Sequence, residues 1–148
     1  MLLSRSTQYT LQALLYLTRK GPERRVLVRE IADEMGLPVF YLAKLLQPPT
    51  RAGWLTAVRG RGGGVHLNPG AENVTLFDIL QLSESHRISR ECLLGFKTCE
   101  DDSACVLHCE WKPIKQELSE GLGRNSLATL AQSALPSWLL GDGKGGKR

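Results

Sequence analysis

The chain has 148 residues, 42% hydrophobic and 23% charged, with a net charge of +4 and four cysteines. That length supports one main core with an appendage and excludes two large independent domains. The apolar start, MLLSRSTQYTLQALLYL, is interrupted by Arg5, Thr7, Gln8, Thr10 and Gln12, which excludes a continuous signal-peptide core or membrane span. A cytoplasmic protein with no membrane partner is expected.

The charge is unevenly spread. Residues 1–67 hold ten Lys/Arg against four Asp/Glu, or +6; residues 68–134 hold six against ten, or −4; the last fourteen hold three against one, or +2. A basic front and an acidic middle predict that only the first part meets a polyanion.

In chain order, the spacing of Leu11, Leu14, Leu15 and Thr18 predicts a helix over residues 7–20, capped by Ser6 or Thr7 and stopped at Gly21-Pro22. REIADEMGLPVFYLAKLL, residues 29–46, follows. Ile31, Ala32 and Met35 line one helical face, Gly36 suits a tight corner, and Leu42 and Leu45 face back from a second helix. A small residue four before a corner glycine is the packing pattern of a helix-turn-helix. The second helix runs from Pro38 to about Gln47, and Pro48-Pro49 must end or kink it near Leu46, leaving residues 50–52 as a separate turn.

WLTAVRGRGGGVHLNPG, residues 54–70, reads as two short strands, with Leu55 and Ala57 on one and Val65 and Leu67 on the other, joined by a glycine-rich turn. No GK[ST] follows those glycines, so a nucleotide-binding loop is poorly supported and a wing is expected. A short helix over residues 75–82 comes next, with Thr75 and Asp78 as its capping box and Leu76, Ile79 and Leu80 buried. His66 and His86 are expected to face solvent.

Beyond a polar connector, Leu107, Trp111, Ile114, Leu118 and Leu122 recur on one face of a long helix. Such a stripe is core or a dimer seam, and the seam is favoured because a complete winged domain already precedes it. SLATLAQ adds a last helical turn or two, and residues 135–148 read as a disordered tail. The fold class is therefore mainly α with a small β-hairpin. A winged helix-turn-helix domain (1–82) precedes a loop (83–109), a dimerisation and terminal helix (105–134) and the tail.

In such a fold the second helix enters the major groove. Phe40 is placed to meet a thymine methyl, beside Val39, while Tyr41 and Lys44 suit phosphates; packing on the first helix is an equal reading for Tyr41. Arg5, Ser6 and Tyr9 face backbone phosphate from the first helix, Arg51 from the turn before the wing, and Arg59, Gly60 and Arg61 form a tip suited to a minor groove.

All four cysteines fall within CLLGFKTCEDDSACVLHCEW, residues 92–111. A reducing compartment argues against structural disulfides, and the absence of any CxxC knuckle argues against a structural zinc site. Intervals of six and five residues between Cys92, Cys99 and Cys105 favour an iron-sulfur cluster, whose irons need thiolates from several directions. If Cys105 starts the long helix, His108 and Cys109 both project near its sulfur, and either completes the set.

With these residues in view, the chain resembles the Rrf family of winged-helix regulators, which includes the iron-sulfur regulator IscR and the nitric oxide sensor NsrR. The match is carried by YLAKLL (41–46), RAGWL (51–55), VRGRGGGVHL (58–67), and Cys92, Cys99, Cys105, His108 and Trp111, across about the first 130 residues. The resemblance implies a homodimer that binds a double-stranded DNA operator. It also implies a 2Fe-2S cluster on the positions corresponding to Cys92, Cys99, Cys105 and His108. Two departures stand out. Gln8 occupies the position where NsrR-like sensors carry an acidic ligand for a 4Fe-4S cluster, leaving a 4Fe-4S form with Cys109 as the alternative. Pro48-Pro49 departs from the usual run, so base specificity does not transfer.

The expected function is a transcription regulator that senses iron-sulfur, redox or nitric oxide status through cluster state. The rivals are a zinc- or thiol-redox-dependent repressor and, from another class, an iron-sulfur electron carrier. No nucleophile-base pair or carboxylate dyad points to an enzyme or a small-molecule substrate.

Overall fold

The computed structural model describes residues 3–61, 63–83, 92–96 and 99–133. The connector 84–91 with His86, and the expected tail over 135–148, lie outside the described residues. No helix among the described residues is long and apolar enough to cross a membrane.

Helix α1 (Arg5–Lys20) starts two residues earlier than its apolar spacing predicts, because Ser4 rather than Ser6 or Thr7 is the cap, its hydroxyl accepting from Thr7 N at 3.2 Å. Gly21, at φ 96°, ends it. Burial of Tyr16 and Leu17 as well as Leu14 and Leu15 shows that α1 is enclosed on more than one side. It is the central strut of the core.

Helix α2 (Val28–Met35) buries Ile31 and Ala32 and closes at Gly36, whose φ of 63° is left-handed. Leu37 N then donates to Ala32 O at 2.9 Å, turning the chain into α3 (Val39–Leu45). Leu42 packs inward. The two prolines do end α3, but residues 47–51 form a further short helix, α4 (Gln47–Arg51), rather than the loose turn expected at 50–52. Its first turn needs no N–H donors, so Pro48 and Pro49 fit there, and Pro49 is buried.

Strands β1 (Leu55–Val58) and β2 (Gly64–Leu67) pair antiparallel, Leu55 opposite Leu67 and Val58 opposite Gly64. Leu55, Val65 and Leu67 are buried, while Ala57, on the same face, is exposed where the hairpin leaves the body. Val26 bonds Val65 in both directions, at 2.9 and 2.8 Å, making a third rung that pins the wing to the segment before α2. His66 is half-buried rather than solvent-facing, and its Nδ1 is buried with no partner among the described residues.

Helix α5 (Leu76–Ser83) carries the expected capping box: Thr75 N donates to Asp78 Oδ2 at 2.9 Å and Asp78 N to Thr75 Oγ1 at 3.2 Å. Ile79 and Leu80 are buried and Leu76 half-buried. The long helix α6 (His108–Gly123) begins at His108, three residues later than Cys105, because residues 105–107 form a turn in which His108 N donates to Cys105 O. The last helix, α7 (Leu127–Gln132), is capped by Ser126 and returns Leu127 to the core against α1. Leu76 N to Asn125 O and Leu127 N to Val74 O, both 2.9 Å, hold its start beside that of α5.

Candidate nucleic-acid interface and metal centre

Helix α3 presents its outer side to solvent. Phe40 is 77% exposed, Val39 and Lys44 are also exposed, and the fully buried Leu42 anchors the helix from behind. At that exposure the ring forgoes most of the roughly 2 kcal/mol that full burial of such a side chain contributes. Tyr41 is half-buried and packs on α1, its ring edge-on to Tyr9 at 6.3 Å between centroids and its hydroxyl 3.3 Å from Ser6 Oγ. That contact fixes the pitch of α3 against the start of α1. Arg5 and Ser6 are exposed beside it, Arg51 is exposed at the end of α4, and Arg59, Gly60 and Arg61 are exposed at the wing tip.

Gly63 shows why the wing turn is glycine-rich: a Cβ there would lie 2.5 Å from Val58 O. The turn closes with Gly63 N donating to Gly60 O at 2.9 Å, and Arg59 and Arg61 are exposed on it.

The cysteine loop builds a second site against the start of α6. Cys92 Sγ lies 3.5 Å from Cys105 Sγ, and Cys99 Sγ lies 3.4 Å from His108 Nδ1. Cys92 and His108 are buried, while Cys99 and Cys105 are half-buried. The long helix starts at His108 and not, as the expectation required, at Cys105; His108 is buried and Cys109 faces solvent. Among the described residues, no three His, Cys, Asp or Glu side chains converge closely enough for one metal ion. The four predicted donors stand instead as two pairs, joined through the turn from Cys105 to His108.

The loop backbone shapes the chemistry of Cys92. Hydrogen bonding from the Leu94 backbone holds its thiol below the ordinary range against the opposite push of burial, with Cys105, the Phe96 backbone and the Lys115 ammonium assisting. Lys115 is buried on α6. Three participants went unnoticed in the sequence. Asp101 Oδ1 lies 2.9 Å from His108 Nε2, Lys112 Nζ donates to both Asp101 oxygens at 2.7 and 2.9 Å, and Lys115 acts on Cys92. The usable signal was the spacing of His108, Lys112 and Lys115 along one helix face.

A helix-turn-helix with a wing and an exposed reading helix defines a DNA-binding transcription regulator rather than an enzyme. The family signature described as "Iron-dependent Transcriptional regulator", Rrf2, matches residues 3–133, and the chain belongs to that family. Its members are DNA-binding regulators and generally dimeric. Protein aau3 of Rhizobium meliloti is 38% identical over 109 residues, covering 74% of this chain and 68% of that protein. Among solved structures, CymR of B. subtilis, described as the global cysteine regulator, superposes with a TM-score of 0.73 at 26% identity, covering 88% of this chain and 96% of CymR. T. potens IscR gives 0.67 at 26% identity, covering 93% and 95%.

Proposed function

We propose that this regulator is a homodimer whose operator binding depends on an iron-sulfur cluster, 2Fe-2S, held by Cys92, Cys99, Cys105 and His108. The observation that carries the reading is the gathering of these four side chains into two pairs, one of two sulfurs and one of sulfur and imidazole nitrogen. Three soft thiols and one imidazole, two of the four buried, fit such a group, and Cys109, facing solvent, is surplus to it. When bound, the cluster would supply one-electron redox chemistry and lability towards oxygen or nitric oxide.

The chain's own part is to bind the group and relay its presence. Helix α6 carries His108 and packs on α5; α5 packs on α1; α1 holds α3 through Tyr9, Ser6 and Tyr41. A shift of α6 is thus handed by packed elements to the reading helix, and coupling of about 1–3 kcal/mol would change operator occupancy strongly. Phe40 and Val39 read base edges. Arg5, Ser6, Tyr9, Tyr41, Lys44 and Arg51 hold phosphates, and Arg59, Gly60 and Arg61 meet the minor groove. The exposed Ile114 and half-buried Trp111, Leu118 and Leu122 on α6 form the seam between two copies, placing half-sites about one or two helical turns apart.

Anaerobic purification tests this directly. Visible absorption at roughly 400–450 nm with acid-labile sulfide is expected, with Mössbauer and native mass spectra of a 2Fe-2S form. His108→Ala should lose the cluster and Cys109→Ala should keep it; the reverse pattern overturns the ligand set. Equal DNA affinity with and without the cluster would sink the sensing role.

The 3.5 Å approach of Cys92 to Cys105 favours a second reading for the cluster-free chain. A hydroperoxide would take two hydrogens from the pair, leaving a disulfide, an alcohol and water. Loss of two hydrogens by mass on peroxide treatment, with changed DNA affinity and no cluster in the anaerobic protein, would support the thiol-redox repressor; zinc in the metal analysis would support the zinc one.

A further inference from the structure

His108 is 6% exposed in the first turn of α6, and its two ring nitrogens face different groups. Nδ1 lies 3.4 Å from Cys99 Sγ; Nε2 lies 2.9 Å from Asp101 Oδ1. A carboxylate only accepts, and a neutral imidazole carries a single proton. Facing a carboxylate, Nε2 is the donor, so in the neutral ring the lone pair of Nδ1 is left on the side of the thiols.

Asp101 is itself held in place. It lies in the 3-10 turn Asp101–Ser103, and Lys112 Nζ grips both of its oxygens at 2.7 and 2.9 Å. Lys112 stands four residues after His108, so imidazole and ammonium share one face of α6 and the carboxylate bridges them from outside. An exposed ion pair contributes little to stability, and the Asp101 side chain is 73% exposed. Its geometry instead orients a neighbouring ring, as carboxylates behind metal-bound histidines do.

We infer that Asp101, pinned by Lys112, is a positioning residue that sets the tautomer of His108, so that Nδ1 is the ligating atom. The inference rests on the cluster reading above, but the tautomer exists without the cluster. That allows the two to be tested separately.

The test uses full-length protein labelled with 15N-histidine: wild type, Asp101→Ala, Asp101→Asn and Lys112→Ala, with His108→Ala to assign the resonance. In the cluster-free wild type, long-range 1H–15N spectra should show His108 protonated on Nε2, and Asp101→Ala should show a mixture of tautomers. In reconstituted protein, cluster loss to a chelator should accelerate about tenfold or more in Asp101→Ala. Asp101→Asn, whose amide oxygen still accepts, should lie between, and Lys112→Ala should be mildly affected, all at an unchanged thermal midpoint of the cluster-free protein. A proton on Nδ1 in the wild type, or an unchanged tautomer and loss rate in Asp101→Ala, overturns the role of Asp101. A wild-type chain that takes up no cluster would sink the proposed function instead, while the cluster-free spectra still decide this one.

Discussion

Gly64→Ala is the substitution whose cost can be worked most directly from the wing. Gly64 opens β2 at φ 144°, and a Cβ there would stand 2.6 Å from Val26 O and 3.1 Å from Val26 C. Backbone atoms cannot rotate aside, so β2 must move away from Val26, breaking the paired bonds between Val26 and Val65. Backbone strain costs about 1–3 kcal/mol, and each lost bond about 1 kcal/mol net. Gly60 supplies the control, since it too has positive φ, 89°, but an added Cβ would meet nothing within 4 Å. Gly60→Ala should therefore carry the strain alone. In urea unfolding, Gly64→Ala should be less stable than Gly60→Ala by about 2 kcal/mol, the worth of the two bonds. Amide exchange at Val26 and Val65 should accelerate by about thirtyfold at that difference. Equal destabilisation of the two variants, or unchanged exchange at Val65, would refute the argument that the wing is pinned through Val26.

Phe40→Ala should leave unfolding within about 0.5 kcal/mol of wild type yet weaken operator binding by about 1–3 kcal/mol in a fluorescence titration. Lys44→Ala should instead weaken all sequences alike and reduce the slope of log affinity against log salt by about 1. Ile114→Asp, at a site 51% exposed within one subunit, should keep its helical circular dichroism while sedimenting as a monomer. Tyr16 donates to Glu30 Oε1 at 3.2 Å between α1 and α2, and its phenol is pushed up from 10.0 to about 12, by burial first and then by Glu30. Because the folded value is the higher one, this stabilisation is complete below pH 10 and is lost as pH rises through about 12. Tyr16→Phe should cost about 1 kcal/mol at neutral pH in urea unfolding and remove that alkaline slope.

Local chemistry made much of the fold readable. The apolar spacing of α1, the corner at Gly36, the stop at Pro48-Pro49 and the box formed by Thr75 and Asp78 each act within a few residues, and each has a distinct pattern in one dimension. The order of three cysteines and a histidine was equally visible, as was the basic front that sets residues 1–67 apart from the rest.

Other features depended on where distant segments meet. Val26 is a one-residue rung of the wing, too short to show any alternation, and only the fold of the chain before α2 brings it to Val65. His108 and Cys109 are adjacent and each can ligate iron, one through nitrogen and one through sulfur; in α6 the first is buried and the second faces solvent. Asp101 reads as one acid in an acidic run until the turn places it between Nε2 of His108 and the ammonium of Lys112. The sequence by itself determined which groups the chain carries and which local elements they form. The tertiary structure alone decided which of those groups face one another, because side-chain direction depends on the start and the packing of each helix.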